Sequence, residues 1–487
     1  MPACVGRCGR RQRGVALIVL LALLSFVLIG ALLSFTGKTD DSIERGKLTE
    51  AALAQAKLAL IDYAASVYLG NVPCVAPGNN CPRPGDLPCP DLNNSGTADA
   101  VPACDATVRR IGRLPWRTLG LPDLRDGYGE RLWYAVSANF KYNTRTACMG
   151  VAGTGCLNSD TPGTITIRDN RGNVVYDAGT APSTGVVAVI FAPGAALTRQ
   201  GAGAAQDRSC LRGGGPDPAC DPTLGGNYTC SGTGAGIPPD YFQTALCNPV
   251  NYLDTIDASV IAALPAPQDN ASLSEPVLPN GNGLISGPIV DGSGNTIVND
   301  RFVVITVGEI RPAIEQRVAR EVLSCLKQYA AHSGGRYPWT AKPDDYTDFT
   351  DQSGTRFGRV PDSFANTNSD NALMLANWPS SGCSISPGSG WWLNWKELVF
   401  MAVAQGFDPL AGAVGCPTCL SVNPPAFSNK GVAVIVAGHA LTGQAHGPAS
   451  FPNSPLSNYL EASNVAGASP LTQSAATSSF DDVVVFR

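Results

Sequence analysis

Asp91, Asn93, Ser95 and Asp99 place oxygen side chains at positions 1, 3, 5 and 9 of a short loop turned by Gly96, with Thr97 between them. Alternate oxygens around a glycine turn are how an EF-hand-type loop gathers a hard cation such as calcium. Position 12, where such a loop carries a bidentate acid, is Pro102, so the set is partial. An Asx-rich turn is the other reading of the same residues. A less regular set, Asp348, Asp351 and Ser353 before Gly354, occurs later in the chain. Signals of catalysis are thinner. Six residues separate Gly30 from Gly37-Lys38-Thr39, where a phosphate loop has four. His439, after Gly438, suits either a hidden triad or a core histidine. Trp391, Trp392 and Trp395 suit either a binding surface or core packing, and packing is the stronger reading.

The frame that must hold these residues follows from composition. The chain has 487 residues, of which 44% are hydrophobic and only 15% charged, so it has apolar mass for more than one core. With 34 basic against 39 acidic side chains there is no basic stripe, which excludes a nucleic-acid partner. The 53 glycines and 38 prolines exclude a coiled coil and point to many turns and long loops.

Val15 to Phe35 is a run of 21 residues without a charge, and Arg7, Arg10, Arg11 and Arg13 precede it with no acid. As a helix that run spans about 30 Å, one bilayer core. The basic leader then stays in the cytoplasm and the rest is exported. A cleaved secretory signal is the competing reading, but the run is longer than an ordinary signal core and Leu33-Ser34-Phe35-Thr36 is a poor cleavage site. The expectation is a single-pass inner-membrane protein with a periplasmic ectodomain.

Arg11-Gln12-Arg13-Gly14 abuts the apolar run directly and leads into Val15-Ala16-Leu17-Ile18-Val19. This junction resembles the type IV prepilin leader, above all that of minor pilins and the K-type minor pseudopilins of type II secretion. The resemblance implies that a prepilin peptidase cuts between Gly14 and Val15 and methylates the new amine. It also implies other pilins or pseudopilins as partners through the N-terminal helix. Val15 stands where major pilins begin with Phe, and Val19 where they carry a glutamate. K-type tip subunits lack that glutamate too. Tip and major pseudopilins bind calcium, which the resemblance extends to the loop at Asp91; otherwise no cofactor is expected. Leu87-Pro88-Cys89-Pro90-Asp91 and the stretch Gly112 to Gly120 resemble an uncharacterised prepilin-type ectodomain family.

Of 16 cysteines, Cys4 and Cys8 lie in the leader, and 14 remain for an oxidising compartment. Neighbouring pairs are the simplest disulfide candidates: Cys74 with Cys81, Cys89 with Cys104, Cys148 with Cys156, and Cys416 with Cys419. Cys416-Pro-Thr-Cys419 is also a redox or zinc spacing, but no second ligand pair stands near it.

The exported part repeats a set of landmarks in order. Tyr63-Ala64-Ala65 parallels Tyr329-Ala330-Ala331, and Gly112-Arg113-Leu114-Pro115 parallels Gly358-Arg359-Val360-Pro361. Val187-Ala188-Val189-Ile190 parallels Val432-Ala433-Val434-Ile435, and Asn251-Tyr252-Leu253 parallels Asn458-Tyr459-Leu460. Ile314, Val318, Val322, Leu326, Tyr329 and Ala330 form an amphipathic stripe that needs a sheet to cover it. The fold class expected is α+β: a long N-terminal transmembrane and amphipathic helix packed on an antiparallel sheet, pilin-like, followed by a duplicated helix-plus-sheet lobe. Long disulfide-stapled loops, notably 201–247 and 265–298, join the strands. The domains are then 1–14 leader, 15–35 transmembrane, 36–310 first unit and 311–487 second unit.

Two functions fit: a minor pilin- or pseudopilin-like subunit at or near the tip of a filament, or a stably anchored periplasmic domain that binds a ligand, with or without calcium, or acts as an enzyme. The first, which involves no catalysis, is preferred.

Overall fold

The computed structural model describes residues 41–66, 83–92, 94–99, 110–141, 157–177, 185–199, 205–206, 208, 211–212, 215–216, 249–257, 259–261, 264, 267–272, 283–380, 383–387, 390–424, 426–447, 454–467 and 469–487. Gly14, Val15, the apolar run, Asn93, Cys74, Cys81, Cys104, Cys148 and Cys156 lie outside the described residues. Among the described residues no helix is long and apolar enough to cross a membrane.

Helix α1 covers 41–66, a stretch rich in Ala, Leu, Glu and Lys with no β-branched run to resist it. Of the thirteen strands described in the first half, seven form its two larger sheets: β1 Ile111–Arg113, β2 Trp133–Val136, β3 Ile167–Arg168, β4 Val174–Tyr176, β5 Val186–Ala192, β6 Leu284–Ile285 and β7 Arg301–Thr306. Helix α2, Val307–His332, follows β7 without a break, and Glu309 Oε2 accepts the Thr306 N–H at its start, 2.9 Å away. Seven more strands follow: β8 Phe357–Arg359, β9 Val399–Val403, β10 Leu420–Asn423, β11 Phe427–Lys430, β12 Val432–Val436, β13 Leu471–Thr472 and β14 Val483–Phe486.

The two halves share one connectivity. The main sheets are four-stranded and antiparallel, in the orders β1-β2-β5-β7 and β8-β9-β12-β14. Each half adds a three-stranded sheet, β6-β3-β4 or β11-β10-β13, with one parallel and one antiparallel pairing. The class is therefore α+β, built from several small sheets.

The covering of both faces explains the apolar runs at β5 and β12, every residue of which is buried. Alternate residues point to opposite layers. Val432, Val434 and Val436 join a core with the helices, whereas Ala433 and Ile435 face the layer that holds Val422, Tyr459 and Leu471. The helix stripes fill the first of these layers: Ala52, Leu53, Ala56, Leu60 and Ala64 of α1 share it with Ile314, Val318, Val322, Leu326 and Tyr329 of α2. Lys57 Nζ and Glu309 Oε1, 2.5 Å apart, join the two helices at their edge.

The segment 265–298, expected as surface loop, contributes four short strands instead, at Gln268–Asp269, Leu284–Ile285, Ile289–Val290 and Thr296–Val298. Leu284 and Ile285 are buried and pair with Ile167 and Arg168, because a dipeptide that apolar finds more cover in a sheet than in solvent.

Cys325 on α2 is bonded to Cys383, a pair absent from the neighbouring-cysteine candidates. Cys416 is bonded to Cys419, and Cys89 is also in a disulfide. The Cys325–Cys383 bond closes 58 residues of chain. Cys383→Ser should therefore cost about 3 kcal/mol, mainly by freeing the unfolded chain. Urea unfolding of wild type and variant without reductant measures it, and a difference below about 0.5 kcal/mol would refute the tether.

Candidate functional site

Helix α1 carries apolar residues on a second face besides the one it buries. Its buried stripe leaves Leu48, Ala51, Ala54 and Leu58 on exposed positions, and Leu58 is 68% exposed. Such residues on a helix face away from the core remain uncovered in the isolated chain.

The loop at Asp91 spends its carboxylates on its own backbone. Asp91 Oδ1 accepts the Ser95 N–H at 3.0 Å and Oδ2 the Gly96 N–H at 2.6 Å. Asp99 Oδ2 accepts the Leu92 N–H at 2.6 Å, and the Ser95 and Thr97 hydroxyls bond each other, also at 2.6 Å. Asp91 thus closes the loop by capping N–H groups four and five residues ahead of it. Burial pushes the Asp91 carboxyl up to about 6, against the pull of the Gly96 and Ser95 N–H groups. Asp351 in the later set turns inward, where its carboxylate accepts the N–H groups of Ala365 at 2.7 Å and Asn366 at 2.9 Å, together with the N–H and hydroxyl of Thr367. Among the described residues, no three His, Cys, Asp or Glu side chains gather as metal ligands.

Trp391, Trp392 and Trp395 are all buried, so they pack rather than present a surface.

His439 belongs to a polar seam between the two halves. Its Nδ1 meets Asp481 Oδ2 at 2.7 Å, and the same oxygen accepts the His439 N–H. Gly438 is required at this point: a Cβ there would lie 2.0 Å from the Asp481 carboxyl. Arg311 of α2 reaches Asp481 at 3.6 Å and Glu315 at 3.4 Å. On the first half's side, Asp160 accepts the Ala440 N–H at 3.0 Å and contacts His446 Nδ1 at 2.7 Å. Ser159 donates to Ala437 O at 3.1 Å.

Burial alone would raise Asp160, but the His446 hydrogen bond and charge, with the Ala440 N–H, hold its carboxyl below the usual range. Glu315 goes the other way. Complete burial pushes it up to about 8, and Arg311 only partly offsets that. The seam is thus a set of ionisable groups whose main work is to dock one half on the other. Sequence reading singled out His439 but missed His446, Asp160 and Glu315. No spacing announces the pairing of Asp160 with His446, which come from opposite halves of the chain, and the i,i+4 spacing of Arg311 and Glu315 does not reveal that the pair is buried.

Each half also buries an arginine between rings. Arg113 lies over Trp133 at 4.9 Å and Tyr252 at 4.4 Å, while Arg359 lies over Phe400 and Tyr459 at 4.6 Å each. His446 stacks on the same Tyr459 ring, 4.7 Å between centroids, and the tyrosine hydroxyl donates to Glu397 at 2.8 Å. Burial lowers the Arg359 pKa, opposed by the nearby Tyr459 and Glu397. The repeated Gly-Arg landmark therefore has a packing role, the cation–π sandwich.

No protein-family model, curated protein or solved structure matches the chain.

Proposed function

We propose that the chain is a minor pilin- or pseudopilin-like subunit, inserted through its N-terminal helix into a type IV pilus or a type II secretion pseudopilus at or near the tip. The observation that carries this reading is Arg11-Gln12-Arg13-Gly14 set directly against 21 uncharged residues that lead toward α1. Once the leader is removed, the 21-residue run has no charged side chain to strand in hydrocarbon as the chain passes from the bilayer into a bundle of like segments. The exposed Leu48, Ala51, Ala54 and Leu58 extend that apolar character beyond the run, on the face that the sheet does not cover. A chain this large would crowd its neighbours in a repeated shaft position, which favours the end of the filament. The role is structural: the helix inserts, and the two sheet-built halves cap or display.

Intact-mass measurement of the protein from cells with a prepilin peptidase tests the reading. It should find a chain that begins at N-methyl-Val15, and an unprocessed chain from cells that lack the peptidase. A chain that keeps residues 1–14 in both would instead support the stably anchored periplasmic domain.

A further inference from the structure

A cleft of about 420 Å³ opens where α1 begins, between the helix and the start of β7. Ser42, Arg45, Tyr128, Asn299 and Arg301 contribute its polar lining. We propose that this cleft binds the headgroup of an anionic phospholipid, a phosphodiester that also carries a hydroxyl. The proposal rests on the reading that the chain is anchored in a membrane by residues 15–35.

The two arginines supply the phosphate chemistry. The Arg45 guanidinium lies over the Tyr128 ring at 5.4 Å, on the wall of the cleft. Arg301 crosses Gly46, where a Cβ would stand 3.5 Å from its Nη1, so the absence of a side chain there brings the second guanidinium onto the helix beside Arg45. Planar guanidinium forks suit phosphate oxygens better than any other side chain. Their present carboxylate partners hold them loosely. Asp41 is 3.9 Å from Arg45 and Glu50 is 3.7 Å from Arg301, with side chains 74% and 71% exposed. Exposed pairs of this kind contribute little, so a phosphate can displace them. The remaining acid of the lining, Asp126, is occupied by the N–H groups of Tyr128, Glu130 and Gly194 at 2.8–2.9 Å.

A second observation selects the headgroup. Asn299 Nδ2 donates to Ala195 O at 2.7 Å, which fixes the direction of the amide. Its Oδ1 is buried and has no hydrogen-bond partner among the described residues. An orphaned buried acceptor calls for a donor. A glycerol hydroxyl can supply it, as can the single hydroxyl of the hydrogen phosphate dianion, whereas the choline headgroup cannot; competition by inorganic phosphate separates the first two.

The cleft also stands in the right place. Arg45 stands ten residues after the end of the apolar run, near in sequence to where the proposed anchor would leave the hydrocarbon for the headgroup layer. Tyr128 is itself 54% exposed, and Ile43 and Val290, each within two residues of the lining, are exposed as well. Exposed tyrosine and aliphatic residues beside arginine are what a membrane interface accommodates.

The test uses the full chain in a neutral detergent and measures lipid retention by native mass spectrometry. Phosphatidylglycerol should be held about tenfold more tightly than phosphatidylcholine, whose headgroup has no donor for Asn299. Arg45→Gln with Arg301→Gln should weaken phosphatidylglycerol binding about tenfold with an unchanged melting temperature, while Arg171→Gln on an exposed turn should leave it unaltered. Asn299→Ala should abolish the preference between the two lipids. Equal retention by the double variant overturns the proposal, as does displacement of the lipid by inorganic phosphate at equal concentration, which would make the cleft a free-anion site. Fractionation of cells reads the anchor separately. A wild-type chain found soluble that still retains phosphatidylglycerol sinks the anchor and not the cleft.

Discussion

Asp351→Ala should destabilise the chain by about 4 kcal/mol, the largest loss expected from any single polar substitution here. The side chain is fully buried and accepts four donors at once: the N–H groups of Ala365, Asn366 and Thr367, and the Thr367 hydroxyl. Alanine removes every acceptor and leaves the buried Thr367 N–H and hydroxyl without a replacement, while Ala365 and Asn366 lie nearer solvent. The consequence spreads by contact. The loop that Asp351 gathers also carries Phe364, which packs on Tyr329 of α2 at 5.3 Å and on Trp378 at 5.2 Å. Loss of the gathered loop should therefore expose Trp378 early, and its fluorescence should shift at lower urea than the loss of helix. Asp351→Asn, which keeps one oxygen acceptor, should cost about half as much. A drop in the unfolding free energy below about 1 kcal/mol for the alanine variant would show that Asp351 does not organise the loop.

The same residue shows why some of this fold was legible in the sequence and some was not. Asp351 reads in sequence as one oxygen of a poor cation loop, because its donors lie more than a dozen residues downstream. Patterns closed within one element were readable. The stripe from Ile314 to Ala330 is buried as a stripe, and the runs at Val187 and Val432 are the central strands β5 and β12. The paired landmarks fall at corresponding places: Arg113 and Arg359 end the edge strands β1 and β8, opposite Trp133 and Phe400. What those arginines do was not readable, because Tyr252 and Tyr459 reach them from distant loops. Cys325 and Cys383 escaped for the same reason. Proximity in sequence suggests local disulfides, whereas this one joins a helix to a loop folded over it.

The stability of the chain should also fall as pH rises from about 5 to about 8, and Glu315→Gln should remove a large part of that fall. Glu315 sits wholly buried on α2, faced by Arg311 of its own helix, by Ser159 and Asp160 of the first half and by Asp481 of the second. Asp481 already takes His439 and shares Arg311, so that guanidinium does not serve Glu315 alone. Burial therefore dominates and raises its carboxyl from 4.5 to about 8. The sign follows from proton counting. Between those two values the unfolded chain has lost the proton that the folded chain still holds, so each step up in pH favours unfolding. Below about 4.5 both states carry the proton, and above about 8 neither does, so the loss is confined to that window. Its size is on the order of 5 kcal/mol, taking each unit as about 1.4 kcal/mol. Glutamine is neutral throughout, so the variant should match wild type near pH 5 and exceed it by several kcal/mol near pH 8. Asp254, Asp300 and Asp482 are also raised by burial and keep a slope of the same sign in both proteins, so the informative quantity is the difference between the two curves. Urea midpoints at pH 5 and pH 8 give that difference. Parallel curves would mean that Arg311 neutralises Glu315 in the folded chain and that the seam docks the two halves through a buried ion pair.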